Sequence, residues 1–189
     1  MKRILFTIIL ATAAIGAYAQ PRAMGVRFGA CGLEAGYQQS IKKDQFIEGN
    51  LGMDFGTGAK GTPGIKATGT YNFIWARPAW TNEGTWAIYA GPGVSMGYVY
   101  DSDHEIIEPD IIPYSHGGFM LGVCAQVGVE YTFWFPLQLS VDLRPTIAMH
   151  VGGKGTQIAE GMVQKHMKVG FYDGGLLGLI PNLSVKYKF

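Results

Sequence analysis

The sequence predicts an all-β fold: an eight-stranded antiparallel up-and-down barrel of the transmembrane kind. Three observations carry this. Segments of apolar/polar alternation recur with turn residues between them, and no helical periodicity follows the N-terminal segment. The alternation runs to the last residue: Leu183, Val185, Tyr187 and Phe189 alternate with Ser184, Lys186 and Lys188. The composition joins 28 glycines and 13% aromatics to only 15% charge, a mixture suited to close-packed strands with lipid-facing rings.

The N-terminus reads as a processing segment. Lys2 and Arg3 precede an apolar run from Ile4 to Ile15, and Ala17-Tyr18-Ala19 is a small-residue cleavage signal. This is the pattern of a secretory signal peptide over residues 1–19, too short to span a bilayer as a helix. The mature domain is expected over 20–189. It carries 13 basic against 14 acidic residues, so no basic stripe suggests nucleic acid. No later stretch is long and apolar enough for a transmembrane helix. Cys31 and Cys124 fall on separate predicted strands, and two small buried thiols are expected rather than a disulfide or a metal site.

The strands are expected in the following order. Met24 to Ala30 is the first, turning tightly at Cys31-Gly32 into Leu33 to Gln39. Were 24–39 one strand, the count would be seven; even counts in single-chain barrels favour eight. After the polar turn Ser40 to Asp44 comes Gln45 to Gly56, and after a Gly-rich loop, Gly64 to Ala76. Arg77 to Gly84 turns the chain into Thr85 to Tyr100. Gly117 to Phe133 follows, then a tight turn at Phe135-Pro136, then Leu137 to His150 and Phe171 to Phe189. Asp101–His116 and Val151–Gly170 read as long external loops, and the turns after the fourth and sixth strands as short periplasmic ones. Pro92, Pro145 and Pro181 fall inside predicted strands and predict bulges or breaks. Trp75, Trp80 and Trp86 surround one short turn and Trp134 sits in another, which predicts a periplasmic aromatic girdle.

Alternation sorts the side chains. Ala67, Tyr71, Phe73 and Trp75 oppose Lys66, Thr68, Thr70 and Asn72. Leu137, Leu139, Val141 and Leu143 oppose Gln138, Ser140, Asp142 and Arg144. A soluble carrier barrel would turn the apolar face inward; the transmembrane type turns it outward. The inward set then includes Arg27, Lys66, Arg144, Lys186 and Lys188 against Glu34, Glu48, Asp54, Glu130 and Asp142. An eight-stranded tube is narrow enough for side chains to fill it, and buried charges there must pair. A sealed, ion-paired lumen is expected, with inward Gly91, Gly93, Gly97, Gly122 and Gly128 leaving local room.

Chemistry is sparsely signalled, and no catalytic, cofactor or metal site is assigned. Asp101, Asp103, His104, Glu105, Glu108 and Asp110 form an acidic run without EF-hand spacing, best read as solvated. Lys154, Lys165, His166 and Lys168 could meet lipid phosphates or the acidic run, and are best read as solvated charge. Ser115 and His116 are adjacent, so in a strand they face opposite ways and cannot serve each other as nucleophile and base. Gly152-Gly153-Lys154-Gly155-Thr156 lacks phosphate-loop spacing.

The whole mature chain resembles the small eight-stranded outer-membrane β-barrels of the OmpX/OmpA transmembrane-domain and opacity-protein type. The resemblance is carried by Gly25-Val26-Arg27-Phe28-Gly29, Tyr89-Ala90-Gly91-Pro92-Gly93, Val127 to Phe133, Pro136 to Pro145 and Val185-Lys186-Tyr187-Lys188-Phe189. It implies outer-membrane residence, contact with outer-membrane lipid, and recognition of the C-terminal strand, through Tyr187 and Phe189, by the barrel-assembly machinery. It implies no activity, since members serve as structural barrels, adhesins or surface-defence proteins. The expectation is a non-enzymatic, monomeric scaffold that presents its loops. An outer-leaflet lipid-modifying enzyme and a narrow channel are the alternatives.

Overall fold

The computed structural model describes residues 21–30, 32–55, 63–107, 110–159 and 162–189, with the backbone alone over 101–107, 110–116, 153–159 and 162–168. The predicted signal peptide and Cys31 lie outside the described residues, and Cys124 is a buried free thiol. The strands are β1 (Arg22–Gly29), β2 (Gly32–Lys42), β3 (Gln45–Asp54), β4 (Gly64–Ala76), β5 (Thr85–Ile107), β6 (Asp110–Thr132), β7 (Leu137–Leu143), β8 (Thr146–Ala159), β9 (Met162–Phe171) and β10 (Asn182–Lys188). Each neighbouring pair is antiparallel, β5 pairs β6, and β1 pairs β10, so the sheet closes.

Ten segments make eight barrel strands. β7 and β8 both pair β6, one below the other, and together form the seventh strand, broken at Arg144-Pro145. β9 and β10 form the eighth, interrupted by a 3-10 turn at Asp173–Leu179. The expected single strand from Phe171 to Phe189 is therefore corrected. Proline accounts for both breaks, because Pro145 and Pro181 have no N–H for the ladder. The turn lies flush against the broken strand: Arg144 N–H donates to Gly178 O at 2.7 Å, and a Cβ on Gly178 would stand 1.9 Å from Arg144 O. Pro92, by contrast, stays within continuous β5. Its missing N–H falls where the β4–β5 ladder lapses, between Thr70↔Gly93 and Phe73↔Ala90, while Pro92↔Ala125 keeps register with β6. Bulges occur instead at Ser40/Lys42, Ile74/Ala76 and Gln157/Ala159.

The ladder fixes the barrel's geometry. From Leu139 the register runs through Val185, Val26, Ala35, Leu51, Ala67, Met96 and Leu121, and returns to the seventh strand at Met149, ten residues further on. Such a stagger tilts the strands by about 40°. Being even, it returns each face to itself, and all nine of these side chains point outward.

The two expected long loops are corrected as well. β5 and β6 pair through to Ile107↔Asp110, and β8 and β9 through to Ala159↔Met162. Both rise as ribbons above the rim, whereas β1 and β2 close a short hairpin at Gly29↔Gly32. Gly32 there has φ of +141°, and its Cβ would stand 1.9 Å from Met53 O. Gly32→Ala is expected to cost about 1–3 kcal/mol in urea unfolding. Gly49→Ala, at an open strand position, should leave the midpoint unchanged or raise it.

Candidate functional site: the lumen and its apolar belt

Outward positions carry the apolar set. Met24, Val26, Leu51, Ile65, Val94, Met96, Leu121, Val123, Val141, Ile147 and Leu183 are all exposed. Among the described residues no Asp, Glu, Lys or Arg shares the outward positions of this belt. Rings bound it on both sides. At the end holding Pro21 and Phe189, Trp80, Trp86, Tyr131, Phe133, Phe135 and Trp134 pack ring against ring with centroids 4.6–5.2 Å apart. Trp75 is exposed at that end, and Tyr187 stacks on Phe189 there. All four tryptophans thus lie at one end.

A second girdle, absent from the sequence reading, circles the other end: Phe28, Tyr98, Tyr100, Phe119 and Phe171. The span from Trp86 to Tyr98 along β5 corresponds to about 30 Å of height at ~3.3 Å per residue and a tilt near 40°. That matches the hydrocarbon thickness of a bilayer. This is the architecture of a small outer-membrane β-barrel.

No protein-family model matches the chain, and no curated protein matches it. Among solved structures the chain is similar to the N-terminal β-barrel domain of Pseudomonas aeruginosa OprF. That match has 9% identity and a TM-score of 0.43, and covers 90% of this chain and 96% of that one.

The polar positions turn inward and meet. The Arg27 guanidinium donates to Asp142 and lies 3.9 Å from Glu48 and 4.0 Å from Glu34. Arg144 donates to both oxygens of Glu34. Lys66 Nζ is 2.5 Å from Asp54 and 3.9 Å from Glu34. Lys186 Nζ donates to Glu48 at 2.8 Å and to Gln38 at 2.7 Å. Tyr172, from the start of the 3-10 turn, donates its hydroxyl proton across the lumen to Asp54 at 2.6 Å. Four cations and four carboxylates thus form one chain along the axis.

The remaining two expected members stand apart from this chain. Glu130 is buried, but it accepts from the amides of Gln138 at 2.5 Å and Gln38 at 3.1 Å instead of from a cation. Lys188 makes no ion pair among the described residues. It sits one residue from the chain end, half-buried beside a vestibule of about 390 Å³, where water can solvate the ammonium. The expected balance of five against five is thereby corrected to a paired four and four.

Neutral groups complete the filling. Gln126 accepts from Thr70 at 2.7 Å and from Asn72 at 3.2 Å, and Thr68 meets Ser95 at 3.0 Å. Phe46 and Tyr89 pack edge to face at 5.1 Å near the vestibule floor. Val99, Met120, Ala148 and Tyr172 cluster at the other end, beside His150, which contacts Val99 O at 3.2 Å. The room expected at inward glycines is occupied: a Cβ at Gly128 would stand 2.8 Å from Tyr89 Oη, and one at Gly93 would stand 2.8 Å from Cys124 Sγ. The cavity around Arg27, Glu34, Lys66 and Arg144 measures about 10 Å³.

Glu108 lies outside the described residues, and the other ribbon residues are placed by backbone register only. Asp101 pairs with His116 and Ser102 with Ser115, so Ser115 and His116 occupy opposite faces of β6. Lys154 pairs with His166, and Lys168 with Gly152.

Proposed function

We propose that the chain is an integral outer-membrane protein without enzymatic activity, a plugged barrel that holds two β-ribbons at the cell surface. The ribbons, 100–117 and 151–170, serve surface contact, adhesion or envelope integrity. One observation carries this reading: the ion-paired chain from Asp54 to Lys186 fills the lumen where the apolar belt surrounds it. A barrel plugged at mid-height is a rigid post. What varies in use is then what projects from it.

Conductance across a planar bilayer tests the plug. The reconstituted protein is expected to leave the bilayer silent, and reproducible single-channel steps would replace the scaffold with a narrow pore. Surface display has its own test. Protease added to intact cells should cut within the ribbons and leave the belt intact; full protection of both ribbons would argue for the opposite orientation or another compartment.

A further inference from the structure

The plug balances its charges, but the cavity beside it does not. The vestibule of about 390 Å³ at the end holding Pro21 and Phe189 is lined by Arg22, Lys42, Lys43, Arg77 and Lys188. Glu130 is the one carboxylate in that lining, and the amides of Gln38 and Gln138 already donate to it. Asp44 stands outside the lining, paired with Arg77 at 3.3 Å. In the plug four cations meet four carboxylates; in the vestibule five cations face one.

This excess is gathered from several elements of the wall. Arg22 opens β1, Lys42 ends β2, Lys43 follows in the β2–β3 turn, Arg77 follows β4 and Lys188 ends β10. At the Ser40/Lys42 bulge the ladder steps past Ile41, and both Ile41 and Lys42 border the cavity. The Ile74/Ala76 bulge precedes Arg77, which clasps the β2–β3 turn through Lys43 O at 2.8 Å. Bulges re-aim side chains at barrel rims and beside sites. Lys42, Lys43 and Lys188 make no ion pair among the described residues. Like charges round a low-dielectric hollow focus a positive field into it, and a multiply charged anion relieves their repulsion.

We propose that the vestibule binds a small soluble anion bearing a phosphate, held by Lys42, Lys43, Arg77 and Lys188. The charge sets the class of ligand. A phosphate offers three strong acceptor oxygens and nearly two negative charges, where a single carboxylate offers one charge. Ile41 and Ile74 give the rest of the solute an apolar wall. A hollow of this size takes a small molecule, not a folded partner. Position sets the source: membrane lipid meets the outer face, whereas these cations line the end of the lumen.

The test uses the full chain in phosphatidylcholine nanodiscs, with calorimetric titration at low salt and inorganic pyrophosphate as the probe. The wild type is expected to bind one pyrophosphate per chain, and acetate about tenfold more weakly. Lys43→Gln and Lys188→Gln should each weaken pyrophosphate by about two- to fivefold, and the triple Lys42→Gln, Lys43→Gln, Lys188→Gln variant by about 30-fold. That variant should keep its heat-modifiable, folded migration; were it to misfold, the two single variants carry the comparison. The matching triple of Lys→Arg changes keeps the charge and should keep the binding. Lys154→Gln, on the ribbon at the other end, should change nothing. An absence of binding by the wild type overturns the proposal, as does unchanged affinity in the glutamine variants or an equal loss in Lys154→Gln. Phosphatidylglycerol added to the discs should leave the affinity unchanged; competition by it would give the site to a lipid headgroup and overturn the assignment to a soluble solute. Conductance and protease access read the plug and the ribbons, so a failure here refutes this inference alone.

Discussion

Arg27→Met is expected to lower the free energy of unfolding by about 3–5 kcal/mol, the largest single loss in the barrel. Arg27 is 2% exposed and stands within 4.0 Å of three carboxylates contributed by three different strands. Removing it leaves Asp142, Glu48 and Glu34 with one cation fewer in a lumen that holds little water to take its place. The cost is that of stranded charge, not of lost attraction, so the double variant Arg27→Met, Asp142→Leu should recover part of it. Urea titration in lipid vesicles, followed by gel mobility, measures both. Arg77→Met supplies the contrast: its pair with Asp44 sits at the rim, its side chain 39% exposed, and its loss should cost no more than about 1 kcal/mol. A loss below that value for Arg27 would mean that the lumen is wet and its charges are screened.

The second large effect lies on the outer face. Val123→Arg should cost about 2–4 kcal/mol, and Trp134→Arg about 0–1 kcal/mol. Both positions are open, Val123 at 61% and Trp134 at 79%. In water, substitutions at two exposed positions would each fall within about 0.5 kcal/mol. In a bilayer, depth decides. Val123 stands opposite Val94 at mid-belt, while Trp134 marks the girdle. Equal costs at the two sites would place the barrel in an aqueous compartment.

The strands within the belt were legible because one face meets hydrocarbon and the other a polar interior, so nearly every second residue is constrained. Beyond the rim that constraint ends. The alternation fades there, and 101–116 read as a loop although its backbone pairs through to Ile107↔Asp110. The 3-10 turn was hidden for a related reason: Asp173 to Leu179 is too glycine-rich to show any period. The three strand prolines looked alike, yet only Pro145 and Pro181 lie at interruptions. What separates Pro92 from them is the sparse β4–β5 pairing beside it, which one strand's sequence does not display.

Within the lumen, the charged members stood out because ionisable residues are conspicuous among apolar neighbours. The amides did not. Gln38, Gln126 and Gln138 are as buried as the charges they support, but a neutral polar residue in a strand looks the same whether water or protein solvates it. Gln38 and Gln138 do for Glu130 what a cation was expected to do.

The closure of the cylinder is unequal round its circumference. Six ladder positions, from Ala23↔Lys188 to Phe28↔Leu183, and the backbone pair Arg22–Phe189 join the first strand to the last, whereas β5 and β6 zip together over twenty-three positions. The two partners in that seam are also the furthest apart in sequence, so it is the costliest contact to bring together and the least reinforced once made. The cylinder thus has a built-in weak stave. It is expected to be the last edge to lock when the wall forms and the first to part when the wall is pulled open, and Arg27, bridging from β1 to Asp142 on β7 behind β10, is the rivet across it.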